Sequence, residues 1–96
     1  MPLQHIVWLK KKDHCTGLEM RALLDEVASL MDLIPGIETV SHGENITDRA
    51  NGFTHGLIVT LTDQQALQGY LGHPAHAVVG QKLARNADLL ALDYET

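Results

Sequence analysis

Residues Gln4 to Lys11 alternate as a β-strand, with His5, Val7 and Leu9 on one face and Ile6 and Trp8 on the other. Both faces are apolar at the centre, so each needs a cover. In a chain of 96 residues that demand is severe. Residues 1–96 suffice for one domain with a modest core, and a second layer can be laid over only one side of a sheet.

The rest of the chain shows where that layer comes from. Thr16 is an N-cap with Glu19 three residues on, the spacing of a capping box. The helix it opens runs to about Leu33, with Met20, Leu23, Leu24, Val27, Leu30, Met31 and Ile34 on one stripe. Pro35-Gly36 ends it. Ile37 to Ile46 reads as a weaker strand, loosened by Gly43, with His42 facing solvent. Asn51-Gly52 is a hairpin signal before a strand from Phe53 to Thr62. Asp63 caps a short helix, Gln64 to Leu71, and Gly72 fits its C-terminal cap. Pro74 suits the first position of a second helix running to about Asn86, with Ala77, Val78 and Leu83 inward. Leu89 to Glu95 closes the chain as a strand.

Strand, helix, strand, strand, helix pair, strand is the order of a ferredoxin-like α+β fold, a four-stranded antiparallel sheet with helices on one face. Ile6, Trp8, Ile58, Leu90 and Leu92 then lie bare on the other face, a patch too large for a soluble monomer. Two copies packed sheet to sheet hide it as a dimeric α/β barrel. An interface of roughly 1,600 Å², somewhat over half apolar, yields about 20 kcal/mol gross at ~25 cal/mol per Å², above the ~4–15 kcal/mol association cost. A homodimer is the expected assembly.

Twelve acids against seven bases leave a net charge of −5, which disfavours a nucleic-acid or anionic-membrane partner. Trp8 and Phe53 are too few strand aromatics for an RNA-stacking sheet. No stretch has the length of a membrane span, and no secretory leader is apparent. The single cysteine, Cys15, fits a reducing cytoplasm and reads as a spectator thiol. Lys10-Lys11-Lys12 reads as a solvated strand end.

The break at Tyr70-Leu71-Gly72-His73-Pro74-Ala75-His76 carries the chemistry. His73 sits at the N-cap and His76 in the first turn, where free N–H groups and the helix dipole disfavour a charged imidazole. A neutral ring can accept a proton. His5 and His55 share the helix-facing parity of strands that are central neighbours, so their rings are expected to approach each other beneath Tyr70 and His76. Val7 and Leu9 of the first strand, Leu24 and Val27 of the first helix, and Val59, Leu89 and Ala91 of the later strands supply the apolar surroundings of a ligand there. The bland alternative is that the histidines satisfy one another and bound water, fixing helices to sheet. His73-x-x-His76 lacks a third ligand at a recognisable spacing, so neither a metal nor a cofactor is expected.

The His5-Ile6-Val7 start, Ile34-Pro35-Gly36-Ile37, Gly43-Glu44-Asn45, Gly52-Phe53-Thr54-His55, Tyr70 with His73-Pro74-Ala75-His76, and Asp93-Tyr94 together resemble the stress-responsive A/B barrel domain (Dabb) over nearly the whole chain. That resemblance implies a ferredoxin-like protomer in a dimeric barrel. The family includes a plant polyketide cyclase that works by aldol condensation without metal or organic cofactor. It implies His76 as base, Tyr70 as orienting group, and His5 and His55 in support. Leu23, Leu24 and Val27 stand where that cyclase has aromatic residues lining its alkyl pocket, so the specificity pocket differs. Two functions follow: a stress-responsive dimer that binds a small apolar or carbonyl ligand, or a cofactor-independent cyclase or lyase that abstracts a proton through His76.

Overall fold

The sheet is built around its first strand. The computed structural model, which describes residues 1–96, runs β1 (Leu3–Lys11), α1 (Gly17–Ser29), a single 3-10 turn (Leu30–Asp32), β2 (Ile37–Glu44), β3 (His55–Leu61), α2 (Gln64–Leu71), α3 (Pro74–Asn86) and β4 (Ala87–Glu95). The strands lie in the order β2-β3-β1-β4, and all three pairings are antiparallel. This is the ferredoxin-like α+β plan. Register decides which residues meet. His5 lies opposite Val59 on one side and Asp93 on the other, and Leu9 lies between His55 and Leu89.

The face bearing His5, Val7 and Leu9 packs on the helices. Thr16 closes the start of α1 as a reciprocal cap: its hydroxyl accepts the Glu19 N–H at 3.0 Å, and the Glu19 carboxylate accepts the Thr16 N–H at 3.1 Å. Met20, Leu24, Val27, Leu30 and Ile34 form the buried stripe. Met31 and Leu23 depart from the expected stripe. The helix tightens at Leu30 into a 3-10 turn, which turns Met31 outward, and Leu23 is only half-buried at its edge. In α3 the buried residues are Val79 and Leu83, whereas Ala77 is exposed and Val78 is 55% exposed. The inward stripe of α3 steps from His76 to Val79 to Leu83, and a polar first member conceals it in the sequence. Residues 45–54 form a loop rather than strand ends, and β4 begins at Ala87, directly after α3. The Asn51-Gly52 pair does turn the chain, with φ of 54° and 88° and Phe53 N–H donating to the Ala50 carbonyl. Cys15 is buried in the core.

The opposite face is open. Ile58, Ile6 and Leu92 form one row across three strands, and Trp8 and Leu90 lie beside it. Trp8 is 51% and Leu92 61% exposed in the protomer. Gln4, Thr60 and Tyr94 on one side, and Lys10 with Asp88 on the other, give this apolar strip a polar border. No helix is long and apolar enough to cross a membrane.

Gly36 closes the approach to β2 with φ +93°, and a Cβ there would stand 2.6 Å from the Ala66 Cβ of α2. Gly36→Ala combines left-handed strain with overpacking, and a loss of at least about 2 kcal/mol is expected. Gly69, inside α2 with open space around it, provides the converse: Gly69→Ala gains about 0.5–1 kcal/mol. Urea denaturation of both variants at one protein concentration checks the pair.

Candidate functional site

Two short helices and two strands bring one polar group together. Asp63 caps α2 by accepting the Ala66 N–H at 2.8 Å, which orients the helix so that Tyr70, one residue from its end, turns into the core. Gly72 fills the C-cap with φ −89°, so its left-handed freedom is unused. His73 Nδ1 accepts the Ala75 N–H at 3.1 Å as the N-cap of α3, and Pro74 takes the first position. His76 is therefore in the first turn, as the sequence predicts. Its ring lies 4.5 Å from the Tyr70 ring, centroid to centroid, tilted by 57°. On Tyr70's other side the His5 ring sits edge-on at 5.7 Å. His5 Nδ1 donates to the Asp93 carboxylate at 2.5 Å, across the β1–β4 pairing that sets them opposite each other.

The electrostatics suit proton transfer. Burial holds the His76 imidazole below its ordinary 6.5, the charge of nearby His5 adds to this, and the Leu71 carbonyl works against it. Burial pushes the Tyr70 phenol up from 10.0 to about 12. Tyr70 is 1% exposed and its hydroxyl makes no hydrogen bond with the protein, yet no sealed polar side-chain atom lacks a partner. The hydroxyl therefore reaches accessible space. At neutral pH the pair presents an uncharged base beside an uncharged hydrogen-bond donor.

His55 does not join them. Its register position lies four residues along the strand pair from that of His5, roughly 14 Å at ~3.4 Å per residue. Shared parity places the two rings on one face without bringing them together. His55 belongs to a different group, at a cleft of about 560 Å³ between α1 and β2 that also involves Arg21, Asp25, His42 and Glu44. His42 is correspondingly not solvent-facing: its Nε2 lies 3.0 Å from the Asp25 carboxylate of α1, with the side chain 17% exposed. Burial lowers the His55 pKa, Lys11 and His42 act in the same direction, and Glu44 opposes them.

The expected apolar surroundings are mostly core. Leu9, Leu24 and Val59 have no exposed surface, Val27 and Val7 are buried, and only Leu89 and Ala91 on the edge strand are open. Tight packing along the strand centres leaves these side chains filled against one another. None of the principal clefts is lined by Tyr70, His76 or His5. No three histidine, cysteine or acidic side chains come together as they would around a metal ion. Asp93 is the member of the His5 group that residue-by-residue reading passes over as a site, because its role depends on β4 register. Arg21 and Asp25 were legible only as the outer face of α1.

Fold and site together define a ferredoxin-like α+β protomer carrying a His/Tyr group between sheet and helices. The chain belongs to the stress responsive A/B barrel domain family, whose sequence model matches residues 3–96. It is 30% identical over 82 residues to olivetolic acid cyclase of Cannabis sativa, covering 83% of this chain and 81% of that one. A dimeric ferredoxin-like protein of unknown function from Jannaschia superposes with a TM-score of 0.85 at 26% identity, covering 100% of both chains. The hydroxynitrile lyase of Passiflora edulis shares the fold, with a TM-score of 0.89 at 18% identity over 97% of this chain and 91% of that chain.

The shifts fix how stability responds to pH. A histidine whose folded pKa is lowered favours the folded state fully above 6.5, and its contribution is lost as pH falls through the folded value. Tyr70 has the raised case: its contribution is complete below 10.0 and lost as pH rises toward about 12. NMR titration is expected to find His55 and His76 midpoints below 6.5. Denaturant midpoints are expected to decline on both flanks. A His76 midpoint above 6.5 would contradict the buried, neutral ring.

Proposed function

We propose that the chain works as a homodimer that binds a small carbonyl compound beside Tyr70 and His76 and moves a proton on it with its own side chains. The observation that carries this reading is the contact of the His76 ring, whose burial disfavours its charged form, with a Tyr70 whose hydroxyl has no protein partner. In such a pair His76 accepts a proton from the carbon next to the carbonyl, an effect typically worth about 10²–10⁴-fold. The Tyr70 hydroxyl donates to the enolate oxygen as charge develops on it. His5, held by Asp93, lends position to Tyr70 from the sheet side. The 30% identity to a cyclase supports the reading.

A second reading has its own observation in its favour. The principal clefts avoid Tyr70 and His76, and Leu9, Leu24 and Val59 are fully packed. On that reading the protein is a stress-responsive dimer without catalysis, and the His/Tyr group pins α2 and α3 to the sheet. Solvent-deuterium exchange at the α-carbon of a medium-chain methyl ketone separates the two. Proton transfer predicts protein-dependent exchange that falls about 100-fold or more in His76→Ala with the fold kept. A structural role predicts no exchange in the parent and a loss of at least about 1 kcal/mol of stability in the variant.

The homodimer rests on the bare strip of Ile6, Trp8, Ile58, Leu90 and Leu92, and on the dimeric state of the Jannaschia relative. Trp8→Glu puts a carboxylate into that contact, where burial without a partner costs several kcal/mol. Analytical ultracentrifugation is expected to find monomer or aggregate. An unweakened dimer would put the interface on another surface.

A further inference from the structure

The bare face of the sheet is tall on one side and low on the other. We propose that, in the homodimer inferred above and on which this rests, the second copy seats its Trp8 in a hollow over Gly56. The two copies are then related by a two-fold axis parallel to β1. Large side chains of each copy meet glycines of the other, so the surface is complementary to itself.

Register gives the relief of this face. One row runs Gly43, Gly56, Trp8, Leu90 from β2 to β4. The next row, Ser41, Ile58, Ile6 and Leu92, is filled except at the β2 edge. The backbone does not require either glycine, because the glycines with positive φ are Gly36 and Gly52. A Cβ at Gly43 or Gly56 would meet nothing within 4 Å in the protomer. Glycine inside a strand weakens it, and close approach of another group is a usual reason for its presence. Here the missing side chains leave a hollow of about 320 Å³, walled in part by Ile6, Trp8 and Ile58.

Trp8 is the matching knob, 51% exposed in the protomer. Phe53 meets its indole edge-on with centroids 6.0 Å apart, and Lys10 Nζ lies 4.9 Å from the Phe53 centroid. These contacts brace the indole before any partner arrives, which lowers the entropy lost on docking. The direction of the axis follows from the relief. Two aligned sheets face each other across a two-fold axis lying midway between them. An axis parallel to the strands, over the β1–β3 boundary, lays β1 of the second copy on β3 and its β4 on β2. Height along the strands is unchanged by that rotation. Because Trp8 and Gly56 are register partners, the partner's Trp8 comes down on Gly56, and the partner's Leu90 on Gly43. An axis across the strands would set β1 on β1 and β4 on β4, large on large, and leave the hollows empty.

The test combines tryptophan emission with native mass spectrometry of the full chain, in which Trp8 is the single tryptophan. The parent dimer is expected to emit as a buried indole and to shift red as dilution dissociates it. Gly56→Leu fills the hollow from below and is expected to weaken dimerisation about 100-fold, roughly tenfold at each of the two symmetric contacts. Trp8→Ala, which removes the knob, weakens it as well. Mixing these two variants restores both contacts in the mixed dimer. The truncated position 8 of one chain faces the filled hollow, and the intact Trp8 of the other faces an intact Gly56. The mixed dimer is expected to exceed its statistical share about tenfold or more. Gly43→Leu, facing the partner's Leu90, repeats the test if Gly56→Leu does not fold. A parent that is monomeric at about 100 μM overturns the homodimer and this packing together. A dimeric parent whose Gly56→Leu or Gly43→Leu variant dimerises undiminished overturns the packing alone. So does a purely statistical mixture of the Gly56→Leu and Trp8→Ala chains.

Discussion

Everything in this fold depends on β1 being paired on both sides. As a central strand it exchanges backbone hydrogen bonds with β3 and β4, so its side chains can be satisfied only above and below the sheet. The helices cover Leu3, His5, Val7 and Leu9. The other face, with Trp8 at its centre, is left bare in the protomer. A one-residue slip of β1 would exchange these faces, which is why the register is strongly specified.

The same pairing distributes polarity. On the helix face, one cross-strand row joins Val40, Val59, His5 and Asp93, and the row four residues away joins Glu44, His55, Leu9 and Leu89. The row between them carries His42, Leu57, Val7 and Ala91. Each buried histidine thus has an acid in its own row, on opposite sides of the sheet centre. Between them lie side chains with almost no exposed surface, Leu57 and Val7. A buried imidazole without a partner would cost about 1–3 kcal/mol; Asp93 of its own row is the hydrogen-bond partner of His5, and the neighbouring Thr54 hydroxyl is that of His55. The apolar centre therefore separates two polar corners instead of enclosing one histidine cluster.

Helix termini then decide how each corner is used. At the His5 corner, the α2–α3 break brings Tyr70 and His76 over the sheet, and desolvation keeps both uncharged. At the His55 corner, the N-terminal half of α1 lies alongside β2, and the contact is ionic, through His42 and Asp25. One corner is closed and suited to proton transfer. The other is open to solvent, at the cleft between α1 and β2.

Local chemistry was enough to mark the elements: alternation for β1 and β3, the Thr16–Glu19 box for α1, and Gly72-His73-Pro74 for the break between α2 and α3. These signals act within a few residues, so they survive reading one dimension at a time. Parity also assigned the bare face of Ile6, Trp8, Ile58, Leu90 and Leu92 correctly, because side-chain direction alternates whatever the partner strand. What parity cannot supply is position along a strand. The separation of His5 from His55, the pairing of His5 with Asp93 and the turning of His42 toward Asp25 all depend on register between strands and on where α1 crosses them. The inward stripe of α3 was hidden for a related reason: its first member is His76, and an imidazole faces inward only because Tyr70 and His5 wait there. The sequence by itself determined the elements, their order and the two faces of the sheet. Tertiary structure alone decided which polar groups meet, since contacts between residues dozens of positions apart are set by the packing of whole elements.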